Sequence, residues 1–240
     1  MNRREFTKTV SLGAVGFSMM NFEKAGVYPV DELLGRKEPA LFGTGYNLRK
    51  EASVAFAKMQ KDALKEGLQI YSASSYRSYA RQESIWNRKY DRFTGQGLSP
   101  IKAIEKIIEY STIPGTSRHH WGTDMDLIDK SVPTPEDSLL EEHFNPGGCY
   151  EPLKKWLNAN ANTYGFCEVY TNKTGRKGFN YEPWHFSYKP LSQPMLQEYK
   201  EIDLKQLLQQ IKLKGAEHFT DDFVAKYRRE NVLDINEELL

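Results

Sequence analysis

Two histidines, two acids and an arginine fall in three short segments of this chain, and their spacing suits metal chemistry. The central segment is Ser117-Arg118-His119-His120-Trp121-Gly122-Thr123-Asp124-Met125-Asp126. A histidine at a turn, a glycine that lets the backbone reverse and a carboxylate on the following strand can bring His119 and Asp126 to one point. Imidazole and carboxylate both suit zinc, and a catalytic zinc takes three protein groups while keeping its fourth position for water. The third group is expected from Glu182-Pro183-Trp184-His185-Phe186-Ser187-Tyr188, where His185 begins a strand. Positions three apart face opposite sides of a regular strand, so Pro183 must break the ladder if Glu182 and His185 are to face one site. Zinc lowers the pKa of a coordinated water toward about 7, and Glu182 is placed to act as its base. Ser74-Ser75-Tyr76-Arg77-Ser78 adds a fixed cation, Arg77, suited either to an oxyanion or to a substrate carboxylate.

Each piece alone has an ordinary structural explanation: a histidine pair in a core, an arginine in a salt bridge, Trp184 and Tyr188 as core aromatics, Gln82 on a helix surface. Their conjunction, in this order, resembles the VanY-type zinc D-alanyl-D-alanine carboxypeptidases. Relatives of that family include L,D-carboxypeptidases, and its fold is shared by the hedgehog signalling domain. The family's Ser-x-His-x-x-Gly-x-x-x-Asp pattern is met by Ser117, His119, Gly122 and Asp126. Its Glu-x-Trp-His element is met by Glu182, Trp184 and His185. Its Ser-x-Tyr-Arg-Ser element, with a glutamine one helical turn on, is met by Ser74, Tyr76, Arg77, Ser78 and Gln82. The resemblance covers about residues 47–189.

The resemblance implies one catalytic zinc on His119, Asp126 and His185, with Glu182 as base and Arg77 as the transition-state cation. It implies that Ser117 and Gln82 line the substrate groove, and that the substrates are peptidoglycan stem peptides losing a terminal D-alanine. L,D-carboxypeptidase and cross-link endopeptidase activity fit the same residues. A non-catalytic zinc module of the same fold is the rival from another class, and Glu182 speaks against it, since a binding module has no use for a base. Asp124 departs from the usual small residue two before the aspartate ligand; it either accepts a ligand histidine's ring N–H or faces solvent. His120 and Trp121 are bulky for their places and are expected to narrow the groove.

The elements that must carry these residues follow from periodicity. Ala52, Ala55, Phe56, Met59 and Ala63 mark a helix that begins at Asn47 as N-cap and ends at Gly67. A strand follows over 68–73, a helix capped by Ser78 through about Tyr90, and a helix from Ser99-Pro100 with Ile101, Ile104, Ile107 and Ile108 on one face. A strand over 123–128 precedes a proline-bearing excursion in which Thr134-Pro135 opens a short helix. Leu153, Trp156, Leu157 and Ala161 mark a further helix that Gly165 stops, and strands are expected over 166–170 and 184–188. Helices segregated around a small antiparallel sheet make the fold α+β. Beyond Pro190, helical periodicity over 194–212 and 221–238 reads as a C-terminal extension packed on the domain or on a partner.

The expected organisation is therefore an export signal over 1–26, a connector over 27–46, a zinc peptidase domain over 47–190 and a helical extension over 191–240. Arg3-Arg4, Phe6, Lys8 and a weakly apolar stretch resemble a twin-arginine export signal, placing the protein in the periplasm or otherwise outside the cytoplasm. An amphipathic N-terminal helix is the other reading. The apolar stretch is shorter than a membrane span, so a tether would require the signal to be retained. Thirty-three basic against 32 acidic residues leave a net charge of +1, which gives no field for nucleic acid. No stable protein partner is evident. Cys149 and Cys167 either close one loop in an oxidising compartment or stay free thiols.

Overall fold

The computed structural model describes residues 27–240; the expected export signal lies outside them. A four-stranded antiparallel sheet in the order β1-β2-β4-β3 forms the centre, from β1 (Ile70–Ser74), β2 (Asp124–Asp129), β3 (Phe166–Glu168) and β4 (His185–Tyr188). Side chains alternate across a strand, so Met125 and Leu127 enter one apolar cluster while Asp124 and Asp126 turn to the other face. The fold is α+β, as expected.

α1 (Val30–Leu33) precedes α2 (Lys50–Lys65), which packs Ala52, Phe56, Met59 and Ala63 against the sheet. Asn47 does not cap α2; Arg49 does. The Asn47 backbone is committed elsewhere, its N–H to Ser75 Oγ at 2.9 Å and its carbonyl to Tyr76 N at 3.1 Å. Gly67, at φ +83°, provides the expected left-handed exit. Ser78 and Ser99 cap α3 (Tyr79–Gly95) and α4 (Pro100–Ile107) through their hydroxyls. The buried arc of α4 is Ala103, Ile104 and Ile107, which leaves Ile101 on the outer side, 55% exposed. No helix opens at Thr134-Pro135: Thr134 Oγ1 accepts Lys130 Nζ at 3.0 Å instead of capping, and only a single tight turn at Glu141–His143 follows.

α5 (Glu151–Asn160) covers the same sheet face as α2, burying Leu153, Trp156 and Leu157. The C-terminal part begins its first helix earlier than periodicity suggested, as α6 (Lys189–Lys200), with Pro190 tolerated in the first turn. Asp203 breaks the long helix expected there by capping α7 (Leu204–Gln209), and α8 (Asp221–Tyr227) continues into a wider turn through Val232. Met195, Leu196, Tyr199, Leu208, Val224 and Tyr227 are buried in one cluster with Trp86, Ile104, Ile107, Ile113 and Trp121. The C-terminal helices thus share a core with α3 and α4. Cys149 and Cys167 are both free thiols, so the bridge is set aside.

Candidate active site

Strand register places the site. Asp126 stands opposite His185 across the β2–β4 pair and opposite Ser74 across the β1–β2 pair, whose register shifts between Ser72 and Ser74, just ahead of Arg77. His119 lies in the tight turn Arg118–Trp121 that ends at Gly122 in the left-handed conformation, φ +67°. Glu182 reaches His185 because the chain between them is a turn: His185 N donates to the Glu182 carbonyl at 3.0 Å. His119, Asp126 and His185 offer ligand atoms that all lie within 4.8 Å of one another, and all three residues are buried.

Both rings are held so that one nitrogen faces this point. His119 Nδ1 lies 2.8 Å from the Ser75 carbonyl, which it can only donate to, and leaves Nε2 at 3.5 Å from Asp126 Oδ2. His185 Nε2 lies 3.2 Å from Asp124 Oδ1, leaving Nδ1 at 2.9 Å from Glu182 Oε2 and 3.9 Å from Asp126 Oδ1. Tying the distal nitrogen to a carbonyl or carboxylate is how proteins fix a metal-ligating histidine. Two nitrogens, one carboxylate oxygen and their secured partners form a donor set that fits zinc.

Asp124 is the anchor beneath. Fully buried, it accepts Arg118 Nε at 2.9 Å, Thr123 Oγ1 at 2.6 Å and Ser187 Oγ at 2.8 Å as well as the His185 ring. Of the two readings of Asp124, the structure takes the ring-holding one. Burial alone would raise its pKa, but the Arg118 charge and the His185 hydrogen bond hold it well below the usual carboxylate range. Burial would lower His185, yet hydrogen bonds to Asp124 and Glu182 and the Asp126 charge outweigh it and raise its pKa to about 10. Asp126 is lowered against the pull of burial by His119 and His185.

Arg77 borders a cleft of about 400 Å³ together with Ser117, His119, Asp126, Glu182 and His185. Its guanidinium donates to Gln82 Oε1 at 2.8 Å and Ser74 Oγ at 3.0 Å. Burial lowers its pKa, and the Asp126 and Glu182 carboxylates oppose that. Gln82 requires correction: it does not line the cleft. It is fully buried behind Arg77, and its amide NH2 is spent on the Thr112 carbonyl at 2.8 Å. His120 and Trp121 do not narrow the cleft either. His120 points inward, with Nδ1 2.5 Å from the Arg77 carbonyl and Nε2 accepting Gly115 N at 3.2 Å, and burial lowers it to about 3, so it is a neutral strut. Trp121 donates to the Leu33 carbonyl within the core.

Sequence reading missed Arg118 and Ser187, the other partners of Asp124. A signal existed, since two acids on one face of a buried strand require a nearby cation, and Arg118 adjoins His119. Lys89, which also borders the cleft, gave no signal among the other basic residues of its helix.

Residues 45–191 match the family model described as VanY, D-alanyl-D-alanine carboxypeptidase. The chain is 31% identical over 166 residues to YodJ of Bacillus subtilis (strain 168), covering 69% of this chain and 55% of that protein. It is 26% identical over 174 residues to a D-alanyl-D-alanine carboxypeptidase of Enterococcus faecium, covering 72% and 47%. It therefore spans about half the length of these two relatives. Among solved structures, VanYB in complex with D-alanine-D-alanine superposes with a TM-score of 0.51 at 20% identity, over 74% of this chain and 92% of that one. A mutant of the vancomycin resistance D,D-pentapeptidase VanY in complex with Zn(II) gives 0.51 at 20% identity, over 77% and 90%. With most of its length inside the matched region, the chain belongs to the VanY family of D-alanyl-D-alanine carboxypeptidases.

Proposed function

We propose that this protein is a zinc carboxypeptidase that hydrolyses the terminal D-alanine bond of peptidoglycan stem peptides outside the cytoplasm. The observation that carries the reading is the convergence of His119, Asp126 and His185 with Glu182 against the same point. Support comes from two VanY-type neighbours, one solved with D-alanine-D-alanine and one with Zn(II). His119 Nε2, Asp126 and His185 Nδ1 hold the ion. Zinc bound there supplies a Lewis acid for the scissile carbonyl and acidifies a water.

The chain's own residues do the rest. Glu182 takes a proton at its carboxylate and returns it to the leaving amine. Arg77, fixed by Ser74 and Gln82, presents its cation to the charge that develops on the carbonyl oxygen. Ser117 offers its hydroxyl to the bound peptide from the cleft wall. Asp124 keeps His185 in one tautomer throughout. Glu182 beside the ligands favours an enzyme over a binding module.

The test is to incubate zinc-loaded protein with stem tetrapeptide and pentapeptide and follow loss of one alanine by mass. Glu182→Gln is expected to bind zinc as the parent does and lose roughly 10²- to 10⁴-fold in turnover. Parental turnover in that variant would sink the base assignment. Export by the twin-arginine route, motivated by Arg3 and Arg4, predicts that replacing both arginines with lysine retains the protein in the cytoplasm; unchanged fractionation would refute it.

A further inference from the structure

The cleft is bordered by three cations, and only two of them are accounted for. Arg118 is spent on Asp124 and Ser187. Arg77 is held by Ser74 and Gln82 and lies in the field of Asp126 and Glu182. Lys89, half-buried on α3 two helical turns beyond Gln82, donates from its ammonium to the Ser111 hydroxyl at 2.5 Å, its one hydrogen-bond partner among the described residues. No carboxylate among the described residues lies within ion-pair distance of it, although Asp137 and Glu141 border the same cleft. A partly buried ammonium without an anion is costly, and such an arrangement persists where a ligand completes it.

A further donor lies beside it. Thr112 Oγ1, next to Ser111 on the cleft wall, is buried and has no partner among the described residues. Gln82 ties the Thr112 carbonyl to the group that fixes Arg77, so this donor-rich wall is set rigidly against the reacting centre. A carboxypeptidase must tell a free C-terminus from a chain that continues. Arg77, fixed by Ser74 and Gln82 in the field of Asp126 and Glu182, is assigned to the carbonyl in the proposed function, so the terminal carboxylate needs a cation of its own.

We propose that Lys89, with the Ser111 and Thr112 hydroxyls, receives the free C-terminal carboxylate of the substrate. The proposal rests on the carboxypeptidase reading above. It makes Lys89 a specificity determinant and leaves Arg77 to the carbonyl.

The experiment compares a stem pentapeptide as free acid and as C-terminal carboxamide, with zinc-loaded wild-type, Lys89→Met and Lys89→Arg proteins. A charged hydrogen bond of this kind is expected to raise KM for the free acid roughly 10- to 100-fold in Lys89→Met, with kcat within a factor of about three. The carboxamide, lacking the charge, should change less than about threefold, and Lys89→Arg should recover part of the discrimination. Equal losses on both peptides, or no loss on either, would overturn the proposal. A side-chain carboxylate on the stem peptide has the same chemistry, so the pair is repeated with diaminopimelate or lysine at the third position. A loss that follows the side-chain carboxylate rather than the terminus also overturns it. If the wild type cleaves nothing, the peptidase reading fails, and calorimetric binding of acid and amide to Glu182→Gln and Glu182→Gln/Lys89→Met then decides the carboxylate site: unchanged preference for the acid refutes it.

Discussion

The two walls of the cleft are braced by different parts of the chain. On the metal wall, Asp126 and His185 sit on paired strands, and their support is local: Asp124, Arg118 and Ser187 belong to the same two strands and the turn beside them. On the substrate wall, Ser111, Thr112 and Ser117 lie in the irregular segment between α4 and β2, which has no ladder to hold it. The C-terminal helices supply that support. Tyr227 Oη accepts Ile113 N at 3.0 Å, Tyr199 Oη donates to the Gly115 carbonyl at 2.8 Å, and Asn231 reaches the Ile108 carbonyl at 3.3 Å. The comparison teaches that Asp126 and His185 are secured by the sheet, whereas the segment carrying Ser111, Thr112 and Ser117 is secured by helices distant in sequence.

Asp124→Asn tests the metal wall and carries the largest expected effect. It leaves the buried Arg118 without its anion, which costs about 3–5 kcal/mol, and loosens the His185 ring, which lowers zinc affinity roughly 10- to 100-fold. Chemical unfolding and competition with a zinc chelator read the two losses. Parental zinc affinity in a folded Asp124→Asn protein would show that the strand pair alone orients His185. Leu208→Ala tests the other wall. Leu208 is fully buried against the α3–α4 core, so the substitution is expected to cost about 2–5 kcal/mol while zinc affinity in the folded protein stays at the parental value. A matching fall in zinc affinity would break the separation of the walls.

Tyr227→Phe sharpens the same point with a smaller change. Thr116 Oγ1 gives its proton to the Ile113 carbonyl, so the Tyr227 hydroxyl must donate to Thr116 while accepting from Ile113 N. Removing it strands a buried N–H at a cost of about 1–3 kcal/mol. Loosening the segment that carries Thr112 and Ser117 is expected to show as a higher KM at unchanged zinc affinity. Steady-state kinetics and chelator competition on one preparation check both; a KM at the parental value would confine Tyr227 to stability.

This division explains what the sequence disclosed. His119, Asp126, Glu182, His185 and Arg77 were legible as one cluster because chemistry fixes residue type and spacing, and the short strands and turns carrying them are punctuated by Gly122 and Pro183. Gln82 was misplaced because its position in a motif gives no information on which way a helix turns it; the α3 face that meets Arg77 is set by Trp86 packing into the C-terminal core. Ile101 and Thr134 misled for a similar reason, since a face or a cap is decided by what lies opposite. The bracing role of the C-terminal helices left no mark at all, because Tyr199, Tyr227 and Asn231 act through backbone groups more than eighty residues away.

The smallest effect is a rate of thiol labelling. Cys167, on β3, lies beneath the turn Glu237–Leu239, with Sγ 3.5 Å from Glu238 Oε2, and burial followed by the Glu238 charge pushes its pKa up to about 11. At pH 8 roughly one Cys167 in a thousand is thiolate, against about a quarter of thiols at the free value, and only the thiolate reacts. Cys149 is half-exposed. The native protein is therefore expected to take up one equivalent of an alkylating reagent quickly and the second only as the Glu237–Leu239 turn or the fold opens. Leu239→Ala, which removes a fully buried anchor of that turn, should quicken the second reaction. Stripping zinc with a chelator should leave it unchanged, because the ligands and their Asp124 support do not include the C-terminal helices. Labelling of Cys167 that accelerates on chelation would mean the metal wall and the C-terminal core open together, and the two braces would have to be treated as one.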